Sequence, residues 1–175
     1  MLNSTPGARV VTLSSRTHRS ASLPLEDLNW ESRRYSRAGA YGQSKLANLM
    51  FTLELDRRLR ERKADFISLA AHPGYAATNV VFPSDAKMTL GRRIWDAMAT
   101  LGNKTMAQSA AQGALPTLYA ATMPDVQGGE YYGPDGIAEF RGYPVKITPA
   151  PIAQDPILAR KLWQQCEALT GVNWL

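Results

Sequence analysis

Residues 40–50 read Ala40-Tyr41-Gly42-Gln43-Ser44-Lys45-Leu46-Ala47-Asn48-Leu49-Met50, and the reading of this stretch decides the fold. Leu46, Leu49, Met50 and Leu53 recur at three- and four-residue spacing, which predicts a helix with one apolar face over residues 40–63. Tyr41 and Lys45 are four apart, so they project from the same side of that helix near its start. A short apolar run flanks it on each side. Residues 8–13 (ARVVTL) follow a Thr5-Pro6-Gly7 turn, and residues 65–71 (DFISLAA) end at His72-Pro73-Gly74. Runs that are apolar at consecutive positions predict strands buried on both faces of a parallel sheet. Strand, helix and strand then form a βαβ unit with a right-handed crossover.

Working outward, residues 14–38 are polar and carry Asp27-Leu28-Asn29-Trp30. Long excursions off a strand end in compact domains often carry function. Residues 78–105 are broken by Pro83, Gly91 and Gly102, with room for a short helix over 92–101. The alanine-rich residues 107–121 predict a second helix. Residues 128–136 predict a short strand closed by a Pro134-Asp135-Gly136 turn. Proline-rich residues 144–156 lead into a last helix over 157–169, stopped by Gly171. Neither a repeat nor an interdomain linker interrupts this order, so residues 1–175 read as one α/β domain.

Composition narrows the function classes. An apolar fraction of 45 % and a charged fraction of 20 % are those of a globular chain. The formal net charge of +5 comes largely from Arg57, Arg58, Arg60, Arg62 and Lys63. No aromatic side chains interleave with them as base stacking requires, so the run reads as a solvated helix end and nucleic acid is not an expected partner. Cys166 is the single cysteine; it has no disulfide partner in the chain and no metal-ligand spacing around it. A reducing, cytoplasmic location and no metal are the expectations. The first residues hold no long apolar run, so neither a signal peptide nor a transmembrane segment is expected.

Tyr-x-x-x-Lys alone arises by chance about one time in four in a chain of this length and composition. Its context is what gives it meaning. A strand ends in Ser14-Ser15, the helix opens with Tyr41 to Lys45, and the next strand ends in Pro73-Gly74, with Thr78 four residues after the glycine. In this order the segments ARVVTLSSRTH, LEDLNW, AYGQSKLANLMFTLELDRRL, AAHPGYAATNV and GGEYYGPDG resemble the short-chain dehydrogenase/reductase family, in its retinol-dehydrogenase-like, protochlorophyllide-reductase-like branch.

The resemblance implies hydride transfer between NAD or NADP and a small-molecule alcohol or carbonyl. Such a reaction needs a proton donor at the nascent alkoxide, and a base there in reverse. A free tyrosine has a pKa of about 10, and an ammonium one helical turn away favours the phenolate. By resemblance, Tyr41 is the acid/base, and Lys45 supports it and bonds the nicotinamide ribose. Ser15, rather than the competing Ser14, orients the substrate oxygen. Pro73 and Gly74 turn beneath the nicotinamide, and Thr78 contacts its carboxamide; a helix N-cap is the other reading of Thr78. The helix from Tyr41 would serve as a dimer surface in a homo-oligomer. Residues 79–105 match the family's substrate lid, where Trp95, Met98 and Met106 line an apolar pocket or belong to the core.

Other constellations are weaker. Ser15, His72 and Asp27 could be imagined as a hydrolase triad, but no Gly-x-Ser-x-Gly elbow is present. His72 is expected to pack at a strand end and His18 to lie in a loop. Gly129-x-x-x-Gly133-x-x-Gly136 has the look of a phosphate loop but reads as a turn, given Pro134-Asp135. Tyr131, Tyr132, Phe140 and Tyr143 are expected in the core or at a dimer contact.

A doubly wound dinucleotide site needs a first strand, a glycine-rich turn and a helix N-terminus at the pyrophosphate. The family places these before the strand that ends in the serine. The expectation is therefore the C-terminal portion of a Rossmann-like doubly wound parallel sheet, a partial domain lacking the N-terminal glycine-rich half. With it would go the choice between NAD and NADP and the family's usual asparagine, leaving an apolar sheet edge open. Two explanations follow: a misplaced start or broken gene of an ordinary reductase, inactive alone, or a non-catalytic remnant acting as an interaction or binding module.

Overall fold

The computed structural model describes residues 5–76 and 107–173. In chain order these form β1 (Arg9–Leu13), α1 (Arg37–Glu61), β2 (Ile67–Ala71), α2 (Ala110–Thr122), β3 (Tyr131–Pro134), β4 (Pro144–Lys146) and α3 (Pro156–Thr170). The strands make one sheet in the order β1-β2-β3-β4. β1 and β2 run parallel, from Arg9 opposite Ile67 to Leu13 opposite Ala71, and β3 is parallel to β2. β4 returns antiparallel to β3, with Pro134 opposite Pro144. The fold is α/β, a partial Rossmann-like sheet.

Alternation along β2 makes two cores from one strand. Ala70 and its neighbour Tyr131 face Leu46, Leu49 and Met50 of α1 and Ala159 and Leu162 of α3. Leu69, Ala71 and Tyr132 face the other way, onto Ala120 of α2 and Val126. Leu55, Leu59, Phe66 and Trp163 form a third cluster, in which Phe51 stacks on Trp163 with ring centroids 5.2 Å apart. Of the four aromatics read as one group, Tyr131 and Tyr132 are core residues, whereas Tyr143 is exposed.

Several local outcomes differ from the sequence reading, each for a physical reason. β1 is half-buried rather than buried on both faces, because among the described residues it is the sheet edge. α1 begins at Arg37, where the Ser36 hydroxyl accepts from the Gly39 N–H at 3.3 Å. α2 begins at Ala110 behind its cap Ser109, because Gln108 is instead extended and bridged to Ala76. The proline-rich stretch contains a strand, β4, whose Pro144 stands at its first position on the sheet edge, where proline is tolerated. α3 stops as expected at Gly171, whose φ is 68°, and it begins behind a cap not read from the sequence, Asp155, which accepts from the Ile157 and Leu158 N–H.

The basic run at the end of α1 is not simply a solvated face. Glu54 and Asp56 are buried on α1. Arg57 and Arg58 hold Glu54 at 2.6 and 2.7 Å, and Arg60 holds Asp56 at 2.7 Å. Burial works against the Glu54 charge, but the two arginines bring its carboxyl below the usual range. Arg58 also lies over the Trp163 ring at 4.4 Å, tying α1 to α3. Among the described residues, no helix is long and apolar enough to cross a membrane. The helix expected over 92–101 and the lid residues Trp95, Met98 and Met106 lie outside the described residues.

Candidate active site

Ser15, Pro73 and Gly74 follow the ends of the parallel strands β1 and β2, and Lys45 reaches the end of β1. Ligands of open α/β sheets bind in the crevice outside the carboxyl ends of the strands. β1 terminates at Leu13, whose carbonyl accepts from Lys45 Nζ at 3.3 Å and from Asn48 Nδ2 at 2.9 Å. That carbonyl therefore ties the N-terminal half of α1 to the strand end. Lys45 Nζ lies 5.6 Å from the centroid of the Tyr41 ring, and Tyr41 is 41 % exposed. The helix spacing thus places an accessible phenol beside an ammonium that the backbone already holds.

The two serines after Leu13 have different surroundings. Ser14 is buried, and its hydroxyl donates to the Lys45 carbonyl at 2.8 Å. Ser15 is half-buried and caps a 3-10 turn, Arg16–Ser20, by accepting from the Thr17 N–H at 3.3 Å. Its hydroxyl hydrogen has no acceptor among the described residues. The same turn packs on α1 so closely that the Thr17 carbonyl would lie 3.5 Å from a Cβ on Gly42. Ser15 thus stands two residues before Thr17, the residue whose carbonyl faces Gly42 of α1.

The long excursion, residues 14–36, is tied down by its polar groups. Asp27 accepts from the Glu31 and Ser32 N–H at 2.7 and 3.2 Å and faces Arg33 Nε at 3.3 Å. Arg33 covers the Trp30 ring at 3.7 Å and bonds Gln43, which donates to the Leu28 carbonyl at 2.8 Å. Gln43 thus fastens the loop to α1 between Tyr41 and Lys45. Neither Gln43 nor Asn48 was singled out in the sequence reading. Their signal was present, as amide side chains on the helix that carries Tyr41 and Lys45.

Pro73 and Gly74 follow the end of β2, and the Ser14 N–H bonds the Ala71 carbonyl at 2.9 Å beside them. Gly74 has φ +67°, and a Cβ there would fall 2.4 Å from the Phe140 carbonyl. The turn is clamped by Gln108, whose side chain donates to the Pro73 carbonyl at 2.6 Å, and by the Tyr75 N–H donating to Phe140 at 2.6 Å. Thr78 lies outside the described residues.

A hydrolase triad does not assemble. The His72 ring accepts from the Gly74 N–H and faces Glu139, while Asp27 serves its own loop. His72 packs at a strand end as expected, and His18 lies in the 3-10 turn of the excursion after β1, where it is fully buried. The glycine-rich segment before β4 is no phosphate cradle: a Cβ on Gly129 would meet the Asp56 carboxylate at 3.0 Å, a charge that repels phosphate. Among the described residues, no group of three or more His, Cys, Asp or Glu side chains could hold a metal ion.

No family model matches the chain. Human retinol dehydrogenase 13 is 31 % identical over 180 residues, covering 98 % of this chain and 48 % of that protein. The Brassica napus chloroplastic short-chain dehydrogenase TIC 32 B is 34 % identical over 160 residues, covering 89 % of this chain and 44 % of that protein. The chain belongs to the short-chain dehydrogenase/reductase family. A solved structure of an uncharacterized protein from Mycobacterium paratuberculosis superposes with a TM-score of 0.70 at 37 % identity, covering 97 % of this chain and 52 % of that one. The chain thus spans about half the length of the relatives it matches.

Proposed function

We propose that the described residues form the proton-transfer and nicotinamide-facing part of an NAD(P)-dependent oxidoreductase site acting on an apolar alcohol or aldehyde. The observation that carries this is the Tyr41–Lys45 pair at the strand end, with Lys45 tied to the Leu13 carbonyl. Tyr41 gives a proton to the substrate oxygen in reduction and accepts one in oxidation. The Lys45 ammonium, held beside the Tyr41 ring, reaches the nicotinamide ribose. Ser15 orients the substrate oxygen through its hydroxyl hydrogen, while Ser14 is structural. Pro73 and Gly74 are assigned the wall beneath the nicotinamide, where Gly74 adds no side-chain bulk against a flat ring, and Thr78 is assigned to the carboxamide. When bound, the nicotinamide supplies or accepts the hydride. The substrate class rests on relatives such as retinol dehydrogenase 13, whose name refers to an apolar alcohol.

The described residues form no glycine-rich cradle for a pyrophosphate, so the nucleotide end is assigned to protein beyond them. The 175-residue chain alone is therefore expected to be inactive. Titration with NADH and NADPH, followed by nicotinamide fluorescence, is expected to show no binding, and tight binding would overturn this part. The chemistry is tested in a chimera in which the chain replaces the segment it aligns with in human retinol dehydrogenase 13. The chimera should turn over, and Tyr41→Phe should lower kcat by about 10²- to 10⁴-fold while leaving cofactor affinity nearly unchanged. Retained turnover in that variant refutes the role of Tyr41. The second reading is a non-catalytic interaction module, which an inactive chimera that binds its cofactor would support.

A further inference from the structure

His18 and His72 are fully buried beside the site, and the proton-transfer chemistry uses neither. The Tyr131 ring of β3 touches both, edge-on to His18 with centroids 5.5 Å apart and tilted against His72 at 5.4 Å. Each imidazole serves the backbone of a different wall. His18 Nδ1 lies 2.7 Å from the Ser15 carbonyl, and the Ala150 N–H donates to His18 Nε2 at 3.1 Å. A carbonyl only accepts and a backbone N–H only donates, so His18 is neutral with its hydrogen on Nδ1.

His72 is arranged the opposite way. The Gly74 N–H donates to its Nδ1 at 3.2 Å, so its hydrogen sits on Nε2, which faces Glu139 Oε2 at 3.2 Å. Arg19 holds the other Glu139 oxygen at 2.7 Å. Ala138 and Glu139 both have left-handed φ, 53° and 58°, a strained backbone that persists only where its surroundings over-determine it. β3 makes room for this imidazole at Gly133, where a Cβ would overlap the ring and lie 2.7 Å from Ile147 Cδ1.

We propose that His18 and His72 are positioning residues, two neutral imidazoles of opposite tautomer that tie the Ser15 and Gly74 backbones to the shared Tyr131 ring. The spacing between the serine wall and the nicotinamide wall is then set by this buried stack as well as by the β1–β2 ladder. The role rests on the site proposed above. Burial lowers the pKa of both rings, His72 to about 4, and the charged or titratable groups facing them are Glu139, Arg19, Tyr131 and each other. A neutral state for both therefore agrees with the geometry.

The test reads structure, so it does not depend on turnover. Long-range ¹H–¹⁵N correlation on the unmodified 175-residue chain at neutral pH should show the Nδ1-H form for His18 and the Nε2-H form for His72. The same tautomer for both, or a charged ring, overturns the proposal even if no variant folds. In His72→Asn the amide oxygen replaces Nδ1 as acceptor, so Gly74 hydrogen-exchange protection should survive, whereas in His72→Phe it should fall by about tenfold. An equal loss throughout the sheet, or no loss at Gly74, refutes positioning. In the chimera, His72→Phe should raise the cofactor KM more than it lowers kcat. An inactive chimera with the tautomers and exchange pattern intact would sink the oxidoreductase reading while supporting the backbone clamp.

Discussion

Acid should destabilise this fold well above the range in which its carboxylates titrate, and the buried imidazoles set the size of the effect. The His72 imidazole is pushed down from its ordinary 6.5 to about 4, chiefly by burial, against the opposing pull of Glu139. Its folded pKa therefore lies below its unfolded one. Between the two, the unfolded chain binds the extra proton and the folded chain does not, so stability falls as pH falls from 6.5 towards 4. At about 1.4 kcal/mol per unit, His72 alone removes roughly 2 kcal/mol between neutrality and pH 5, and His18 adds in the same direction. Glu54 and Glu130 have lowered pKa values, so their losses come at lower pH, and Asp56, raised by burial, works in the opposite sense. Urea unfolding at about pH 7.5 and pH 5 measures the difference. His72→Asn cannot titrate there and should lose markedly less stability over the same interval. A wild-type stability flat across that interval, or an equal loss in the variant, refutes the reasoning.

The two serines should separate by assay. Ser14→Ala removes the bond to the Lys45 carbonyl and should cost about 1 kcal/mol in thermal unfolding. Ser15→Ala removes the cap on Thr17 and should also cost about 1 kcal/mol, but unlike Ser14→Ala it should lower kcat of the chimera by 10-fold or more. Gly74→Ala places a Cβ against the Phe140 carbonyl at a left-handed φ. It should destabilise by about 1–3 kcal/mol, seen as a lower denaturation midpoint, and weaken cofactor binding in the chimera.

The βαβ unit was legible because its cause is local. Leu46, Leu49 and Met50 repeat at helical spacing, and they are the residues that face Ala70 and Tyr131. The Tyr41–Lys45 side of α1 follows from the same spacing. β4 was not legible, since a strand opening on Pro144 is held by its partner β3 rather than by its own propensity. The burial of His18 was hidden for a similar reason: its Nε2 partner, Ala150, is 132 residues away. The arginine run is the opposite case. Glu54 and Asp56 stand three or four residues before Arg57, Arg58 and Arg60, a spacing that signals intrahelical pairing, but only the fold shows that both carboxylates are buried.

The bond from Lys45 to the Leu13 carbonyl also bears on how tightly a ligand can be held. A free lysine side chain samples many rotamers, and fixing it costs on the order of 1.5–2 kcal/mol in entropy. Here the strand end and Asn48 share one carbonyl with the ammonium, so most of that freedom is surrendered when the chain folds. Under the proposed role of Lys45, a ribose hydroxyl arriving at Nζ would meet a donor whose direction is already chosen. Preorganisation of this kind raises affinity without adding a contact, and it begins with the last backbone oxygen of an edge strand.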